Sequence, residues 1–269
     1  MKNALFRLTS SSLFAATSIF AFGLAEPSLP KFSQSHWLTQ GQLLAAEMPA
    51  SEIYEQTISS VVTLYPVDQD FNTLDTFGSG FVVRSDGLIV TNAHVINSET
   101  AAVAVVFADG SQGIAMVVGY DSQGRDLAAL QLIGEFQLSA LTLATGEMPR
   151  IGEAVYAIGA PRGFSNTMTS GIVGNVAPDQ TQILHNATIN GGNSGGPLLN
   201  DQGQVIGMNT WIYNATVETA DGEVIGQANG YSGMSFAISA NEIMAFVTDL
   251  TSGQVSSVSQ PAAQVAHNY

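Results

Sequence analysis

Apolar residues fall along the chain in short runs, and glycine–aspartate pairs break them at regular intervals. Phe77–Arg84 and Leu88–Thr91 flank Ser85-Asp86-Gly87, and Ala102–Phe107 and Gln112–Tyr120 flank Ala108-Asp109-Gly110. Runs this short joined by turn residues predict antiparallel hairpins, because parallel strands need long crossovers. Val61–Tyr65 and Leu127–Leu132 complete a first set of strands. Residues 135–152 join it to a second set: Ala154–Gly159, Thr167–Asn175, Gln182–Ala187, Pro197–Leu199, Val205–Thr210 and Gly233–Ile238. Asp221-Gly222 reads as a turn between Thr216–Ala220 and Glu223–Gln227. Only two helices are expected. Ser51–Ile58 leads into the first strand. The second opens at Ser239-Ala240-Asn241-Glu242, which has capping-box spacing. Ile243, Phe246, Val247 and Leu250 then share one face, and Gly253 ends it. The pattern is that of an all-β protein of barrel type.

One stretch does not read as strand or simple turn. Gly191-Gly192-Asn193-Ser194-Gly195-Gly196-Pro197 sets one serine among four glycines. A serine hydroxyl attacks only when a base takes its proton and donors await the oxyanion. Glycine lets a backbone turn through positive φ and aim successive N–H groups at one point. Taken alone, the stretch also fits a plain glycine-rich turn before a strand. Of four histidines, His36 lies in a polar N-terminal stretch and His267 in the tail. His94 stands just past the strand Leu88–Thr91, where a base would be rigidly held. His185 lies in a strand and reads as a structural or pocket residue. Asp126 leads directly into an apolar strand, a costly place for a carboxylate unless it is hydrogen-bonded. Asp121 better fits an ordinary turn aspartate.

Thr91-Asn92-Ala93-His94-Val95, Asp126-Leu127-Ala128 and Gly192-Asn193-Ser194-Gly195-Gly196-Pro197 occur in the order His, Asp, Ser. That order and those flanks resemble the chymotrypsin-fold serine proteases of the HtrA/Deg branch. Gly78-Ser79-Gly80-Phe81-Val82-Val83, Ala157-Ile158-Gly159-Ala160-Pro161, Thr169-Ser170-Gly171-Ile172-Val173 and Ser235-Phe236-Ala237-Ile238 are similar to further strands of that family. The resemblance runs from about Tyr54 to Leu250. It implies two six-stranded chymotrypsin-like β-barrels with a C-terminal helix over residues 51–252. It implies a serine endopeptidase with His94, Asp126 and Ser194 as the triad. Backbone N–H groups of Gly192, Asn193 and Ser194 would form the oxyanion hole. Thr188, Asn190, Asn209 and Thr210 would line the substrate pocket. No metal or other cofactor is required. No residue in Asn186–Asn193 is acidic, so a lysine or arginine would lack a partner there, and the expected preference is for small or medium aliphatic residues before the cut. The alternatives are a glutamyl-type endopeptidase of the same fold, kept open by Thr188 and His185, and a chaperone-like peptide binder without turnover. Family members commonly form trimers through N-terminal residues; a homotrimer is the analogy here, although Phe32–Tyr54 departs from the family pattern.

Composition narrows the partners. The formal charge is −15 with only 7 Lys and Arg, and no basic face for nucleic acid is expected. There is no cysteine, hence no disulfide or thiolate metal site. Residues 1–25 read as a secretory signal: Lys2 and Arg7, an apolar core over Leu13–Phe22, then Gly23-Leu24-Ala25. Cleavage after Leu44-Ala45-Ala46 and retention as an anchor are the other outcomes, and only retention would bring the chain to a membrane. Residues 26–50, with Pro27, Pro30 and Pro49, read as a linker or pro-segment, and 253–269 as a polar tail with no room for a PDZ domain. The expected setting is the periplasm or another extracytoplasmic compartment, with unfolded or damaged proteins of the cell envelope as substrates.

Overall fold

The computed structural model describes residues 48–96, 100–212, 216–218, 224–227 and 233–253. The expected signal, almost all of the linker and the tail beyond 253 lie outside the described residues. Helix α1 (Ala50–Thr57) leads into β1 (Val61–Val67), β2 (Gly78–Arg84), β3 (Leu88–Asn92), β4 (Ala102–Phe107), β5 (Gln112–Tyr120) and β6 (Leu127–Leu132). These strands close in the order β1-β2-β3-β6-β5-β4. A second closed barrel follows: β7 (Ala154–Gly159), β8 (Thr167–Val176), β9 (Gln182–His185), β10 (Pro197–Leu199), β11 (Val205–Ile212) and β14 (Ser235–Ser239), ordered β10-β11-β14-β9-β8-β7. A separate ribbon, β12 (Thr216–Glu218) with β13 (Val224–Gln227), falls between β11 and β14 in the chain. Among the described residues, every pairing between these strands is antiparallel. The fold is therefore two six-stranded barrels of the chymotrypsin type, closed by a C-terminal helix α2 (Ala240–Thr251). Closure leaves neither barrel a free edge to template aggregation.

Each barrel fills its own interior. Val62, Leu64, Val82, Ile89, Val103, Val105 and Leu130 pack inside the first, and Val155, Ala157, Val173, Ile183 and Leu198 inside the second. A third cluster lies between them, where Phe81, Val90, Leu127, Ile158, Met208, Ile243 and Phe246 meet. Helix α2 contributes Ile243 and Phe246, both fully buried, with Val247 and Leu250 packed at the margin. Burying a side chain of this size stabilises the fold by about 1.5–3 kcal/mol, so α2 is held by its apolar face.

Three local expectations need correction. Strand β1 continues through Pro66 and Val67, because that stretch pairs with Val103 and Ala102. Strand β9 stops at His185, two residues short of Ala187. The capping box at the start of α2 does not form. Ser239 makes no side-chain cap bond and its buried hydroxyl has no partner among the described residues. Glu242, which should reach back to the cap, instead accepts a hydrogen bond from Arg125 Nη1 at 3.1 Å. Among the described residues no helix is long and apolar enough to cross a membrane.

Candidate active site

His94 lies in a single 3-10 turn, Ala93–Val95, that begins where β3 ends. Asp126 closes the loop from β5 to β6. In that loop the Asp121 carboxylate accepts the N–H groups of Gln123 at 2.9 Å and Arg125 at 2.8 Å, the local turn chemistry aspartate favours. Asp126 then takes a left-handed conformation, φ +56°, which aspartate tolerates better than most residues. Strand pairing of β3 with β6 brings the two residues together. The Asp126 carbonyl accepts Ala93 N–H and the Asn92 side-chain amide, each at 3.0 Å. Its carboxylate accepts His94 N–H through Oδ1 at 2.9 Å and faces His94 Nδ1 through Oδ2 at 2.8 Å. With Nδ1–H donating to a carboxylate, the other ring nitrogen, Nε2, is the one available as a base. His94 is half exposed and so open to a substrate.

The second barrel supplies the serine and a fourth contact. Thr210 Oγ1 donates to Asp126 Oδ2 at 3.0 Å. The Thr210 carbonyl accepts the Ser194 hydroxyl at 3.1 Å. Ser194, His94 and Asp126 thus converge, with Thr210 touching both the serine and the aspartate. Among the described residues the Ser194 hydroxyl is bonded to Thr210 and not to His94.

The glycine turn is fixed by steric need. Gly192 has φ +100°, and a Cβ there would lie 2.1 Å from the Ala160 carbonyl oxygen. Gly195 has φ +85°, and a Cβ would lie 2.1 Å from the Ser79 carbonyl oxygen. Fully buried Ser79 holds this turn from the first barrel. Its hydroxyl donates to Gly192 O at 2.7 Å and accepts Ala160 N–H at 3.0 Å, and its own N–H donates to Ser194 O at 2.8 Å. The Gly191 carbonyl accepts Arg162 N–H at 2.8 Å. Because a trans peptide sets its N–H opposite its C=O, that contact turns Gly192 N–H the other way. Neither Gly192 N–H nor Ser194 N–H is spent on a hydrogen bond among the described residues. Asn193 N–H is spent, on Asn190 O at 3.0 Å. Two of the three expected oxyanion donors are therefore free.

The residues expected around the substrate divide. Thr188 is exposed, and its carbonyl accepts the Thr169 hydroxyl at 2.8 Å. Asn190 is half-buried beside the serine turn. Asn209 is wholly buried and turns inward, its amide donating to Gly196 O at 3.1 Å and Pro197 O at 3.0 Å. Thr210 turns to Asp126. Asn209 and Thr210 thus support the serine turn and the aspartate. His185 is 1% exposed, and neither ring nitrogen has a hydrogen-bond partner among the described residues. Burial pushes its pKa down to about 4, against a smaller opposing effect of the Asn209 side chain. Ser79 and the backbone of Arg162 carry no local sequence signal for the parts they play.

The chain is also similar to known proteins. A profile described as a trypsin-like peptidase domain matches residues 78–208. A probable periplasmic serine endoprotease, DegP-like, of Pseudomonas putida is 32% identical over 228 residues, covering 80% of this chain and 44% of that protein. Protease Do-like 1, chloroplastic, of Arabidopsis thaliana is 35% identical over 228 residues, covering 78% of this chain and 51% of that protein. The crystal structure of a serine endoprotease from Yersinia pestis superposes with a TM-score of 0.62 at 29% identity, covering 78% of this chain and 70% of that one. The chain spans about half the length of these two curated relatives.

Proposed function

We propose, for a chain whose peptidase domain belongs to the HtrA/Deg type of trypsin-like serine protease, that it is an endopeptidase acting through Ser194, His94 and Asp126. The observation that carries this reading is the two-point hold of the Asp126 carboxylate on His94, at 2.9 and 2.8 Å, beside a glycine turn bearing Ser194. For catalysis the Ser194 hydroxyl leaves the Thr210 carbonyl and turns to His94. Its oxygen attacks the scissile carbonyl while its proton passes to His94 Nε2. The oxyanion that forms is met by Gly192 N–H and Ser194 N–H. His94 returns the proton to the leaving amine as the C–N bond breaks. Water then repeats the sequence on the acyl-enzyme, freeing the acid and restoring the Ser194 hydroxyl. Asp126 holds the imidazole in its Nδ1–H tautomer and stabilises its charged form, and Thr210 holds Asp126.

The test is casein cleavage by the purified protein beside Ser194→Ala. Activity in the first and a loss of about 10⁴-fold or more in the second is expected, since residual catalysis without a triad member is small. Equal activity in both would remove Ser194 from the mechanism.

The substrates we assign are unfolded or damaged polypeptides in an extracytoplasmic compartment, a reading supported by DegP-like relatives described as periplasmic. No acidic side chain lies in residues 186–193, which favours small or medium aliphatic residues before the cut. A glutamate-reading pocket would need a basic or hydroxyl-rich lining; exposed Thr188 could give only the hydroxyl, and the burial of His185 argues against it as the basic group. Peptide mapping of a digested unfolded protein tests this preference: cuts after Val, Ala, Ile or Thr are expected, and predominant cleavage after Lys, Arg or Glu would overturn it. A trimer, the family analogy, is read by the sedimentation of the purified protein.

A further inference from the structure

Arg125 immediately precedes the triad aspartate, and its side chain is only 13% exposed. Three carboxylates surround its guanidinium. Asp121 Oδ1 accepts Nε at 2.9 Å and Nη2 at 2.6 Å. Glu242 Oε2 accepts Nη1 at 3.1 Å, and Asp249 Oδ2 lies 3.5 Å from Nη2. The backbone of Arg125 is held as well, because its N–H donates to Asp121 Oδ2 at 2.8 Å. Asp121 belongs to the loop that carries Asp126, whereas Glu242 and Asp249 belong to α2. Seven residues apart, these two acids lie on one side of that helix, two turns from each other. Helix α2 also forgoes its capping box so that Glu242 can meet Arg125.

Residue 125 is therefore clamped at both backbone and side chain, one peptide before a residue with φ +56°. A left-handed conformation away from glycine persists only when its surroundings determine it. On its far side Asp126 is bound to Asn92, Ala93, His94 and Thr210. On its near side the clamp on Arg125 sets where the carboxylate begins. An arginine fork held by several carboxylates is a rigid fixture, since its geometry is planar and its charge permanent.

We infer that Arg125 is a positioning residue for the peptidase reaction: with Asp121, Glu242 and Asp249 it fixes the turn that presents the Asp126 carboxylate to His94, and so couples the C-terminal helix to the triad. The inference rests on the triad reading above. Loosening the clamp lets Asp126 drift from His94 Nδ1, which weakens tautomer control and leaves the substrate cleft as it was. The signature is a fall in kcat with KM preserved.

The experiment uses the full chain in four forms: wild type, Arg125→Gln, Glu242→Gln with Asp249→Asn, and all three changes together, with Ser194→Ala as the control. Each is measured for kcat and KM on one peptide substrate and, by proton NMR, for the far-downfield resonance of a His–Asp hydrogen bond. Folding is checked by thermal melting. Arg125→Gln should lower kcat by about 10- to 100-fold with KM within about twofold, the scale expected when a reacting group is misplaced by a fraction of an ångström or more. The same variant should broaden or shift the resonance. The helix double variant should lower kcat by about three- to tenfold, and the triple variant should fall no further than Arg125→Gln, because residues acting through one contact are not additive. Wild-type kcat and resonance in folded Arg125→Gln would overturn the inference. So would helix substitutions whose effect multiplies in full on top of it. Should Arg125→Gln fail to fold, wild-type kcat in the helix double variant overturns it alone. Activity retained by Ser194→Ala is a different result, since it removes the triad reading and not the coupling.

Discussion

Gly191 and Gly192 are chain neighbours with opposite structural duties. A Cβ on Gly192 would meet the Ala160 carbonyl oxygen at 2.1 Å, and φ there is +100°. Nothing lies within 4 Å of a Cβ built on Gly191, which is exposed. Gly192→Ala must therefore move the peptide whose N–H is proposed as one oxyanion donor, while Gly191→Ala need move nothing. Losing one such donor costs roughly 10²- to 10³-fold in kcat. Gly192→Ala is expected to show a loss of that order with KM little changed, and Gly191→Ala to stay within about twofold of wild type, since surface substitutions usually cost under about 0.5 kcal/mol. Steady-state kinetics on one peptide substrate checks both, and equal losses in the two variants would contradict the assignment. The sequence flags the glycine cluster as a whole. Which glycine is obligatory depends on Ala160 and Ser79, residues far off in the chain.

Hairpins were legible because their signals are local. Ser85-Asp86-Gly87 does turn β2 into β3, and Ala108-Asp109-Gly110 does turn β4 into β5. Alternation of apolar and polar residues cannot show where a strand irregularity falls, and one such irregularity decided the fate of two expected pocket residues. In β11, Asn209 pairs with Ala237 and Trp211 with Phe236, so Thr210 is the extra residue of a bulge. A bulge re-aims side chains. Thr210 Oγ1 reaches the Asp126 carboxylate and Asn209 lies buried against the serine turn. Helix α2 gives the same lesson in reverse. Its spacing is that of a capping box, but an arginine 117 positions away takes the glutamate. Charged hydrogen bonds to a guanidinium are roughly twice as strong as neutral ones, so the tertiary contact prevails over the local motif. His94, Asp126 and Ser194 could be picked out beforehand because their short flanking motifs resemble a family. Ser79 lies in another such motif, Gly78–Val83, and Thr210 in an expected strand, but nothing near either marks the contact it makes, and Arg125 falls just outside the Asp126 motif.

Across the whole molecule, both barrels bury polar side chains: Ser79, Thr91 and Asn92 in the first, and His185, Asn209 and Ser235 in the second. Ser235 Oγ donates to Ala187 O at 3.0 Å and Asn209 donates twice to the serine turn. Neither His185 ring nitrogen meets a partner in hydrogen-bond geometry among the described residues, and the Asn209 side chain beside it offsets burial only in part. Burial therefore holds it neutral, with a pKa lowered from 6.5 to about 4. In the unfolded chain this histidine takes up its proton as pH falls through about 6.5. In the folded chain it takes one up only near pH 4. The folded state thus has its full stability, as regards this group, above about pH 6.5, loses it as pH falls between the two values, and changes no further below about 4. A gap of that size corresponds to a loss on the order of 3 kcal/mol, which is a large part of the about 5–15 kcal/mol that holds a typical domain folded. Replacing the ring by an apolar side chain removes both the proton uptake and the unpaired nitrogens. His185→Leu is therefore expected to match or exceed wild-type stability at pH 4.5 and to flatten the dependence between pH 7 and 4.5. Urea unfolding at the two pH values measures this, and the difference between wild type and variant isolates the histidine from the surface carboxylates titrating over the same range. An unchanged pH dependence in the variant would show that the second barrel does not unfold around a buried neutral histidine, and acid sensitivity would then belong to other groups.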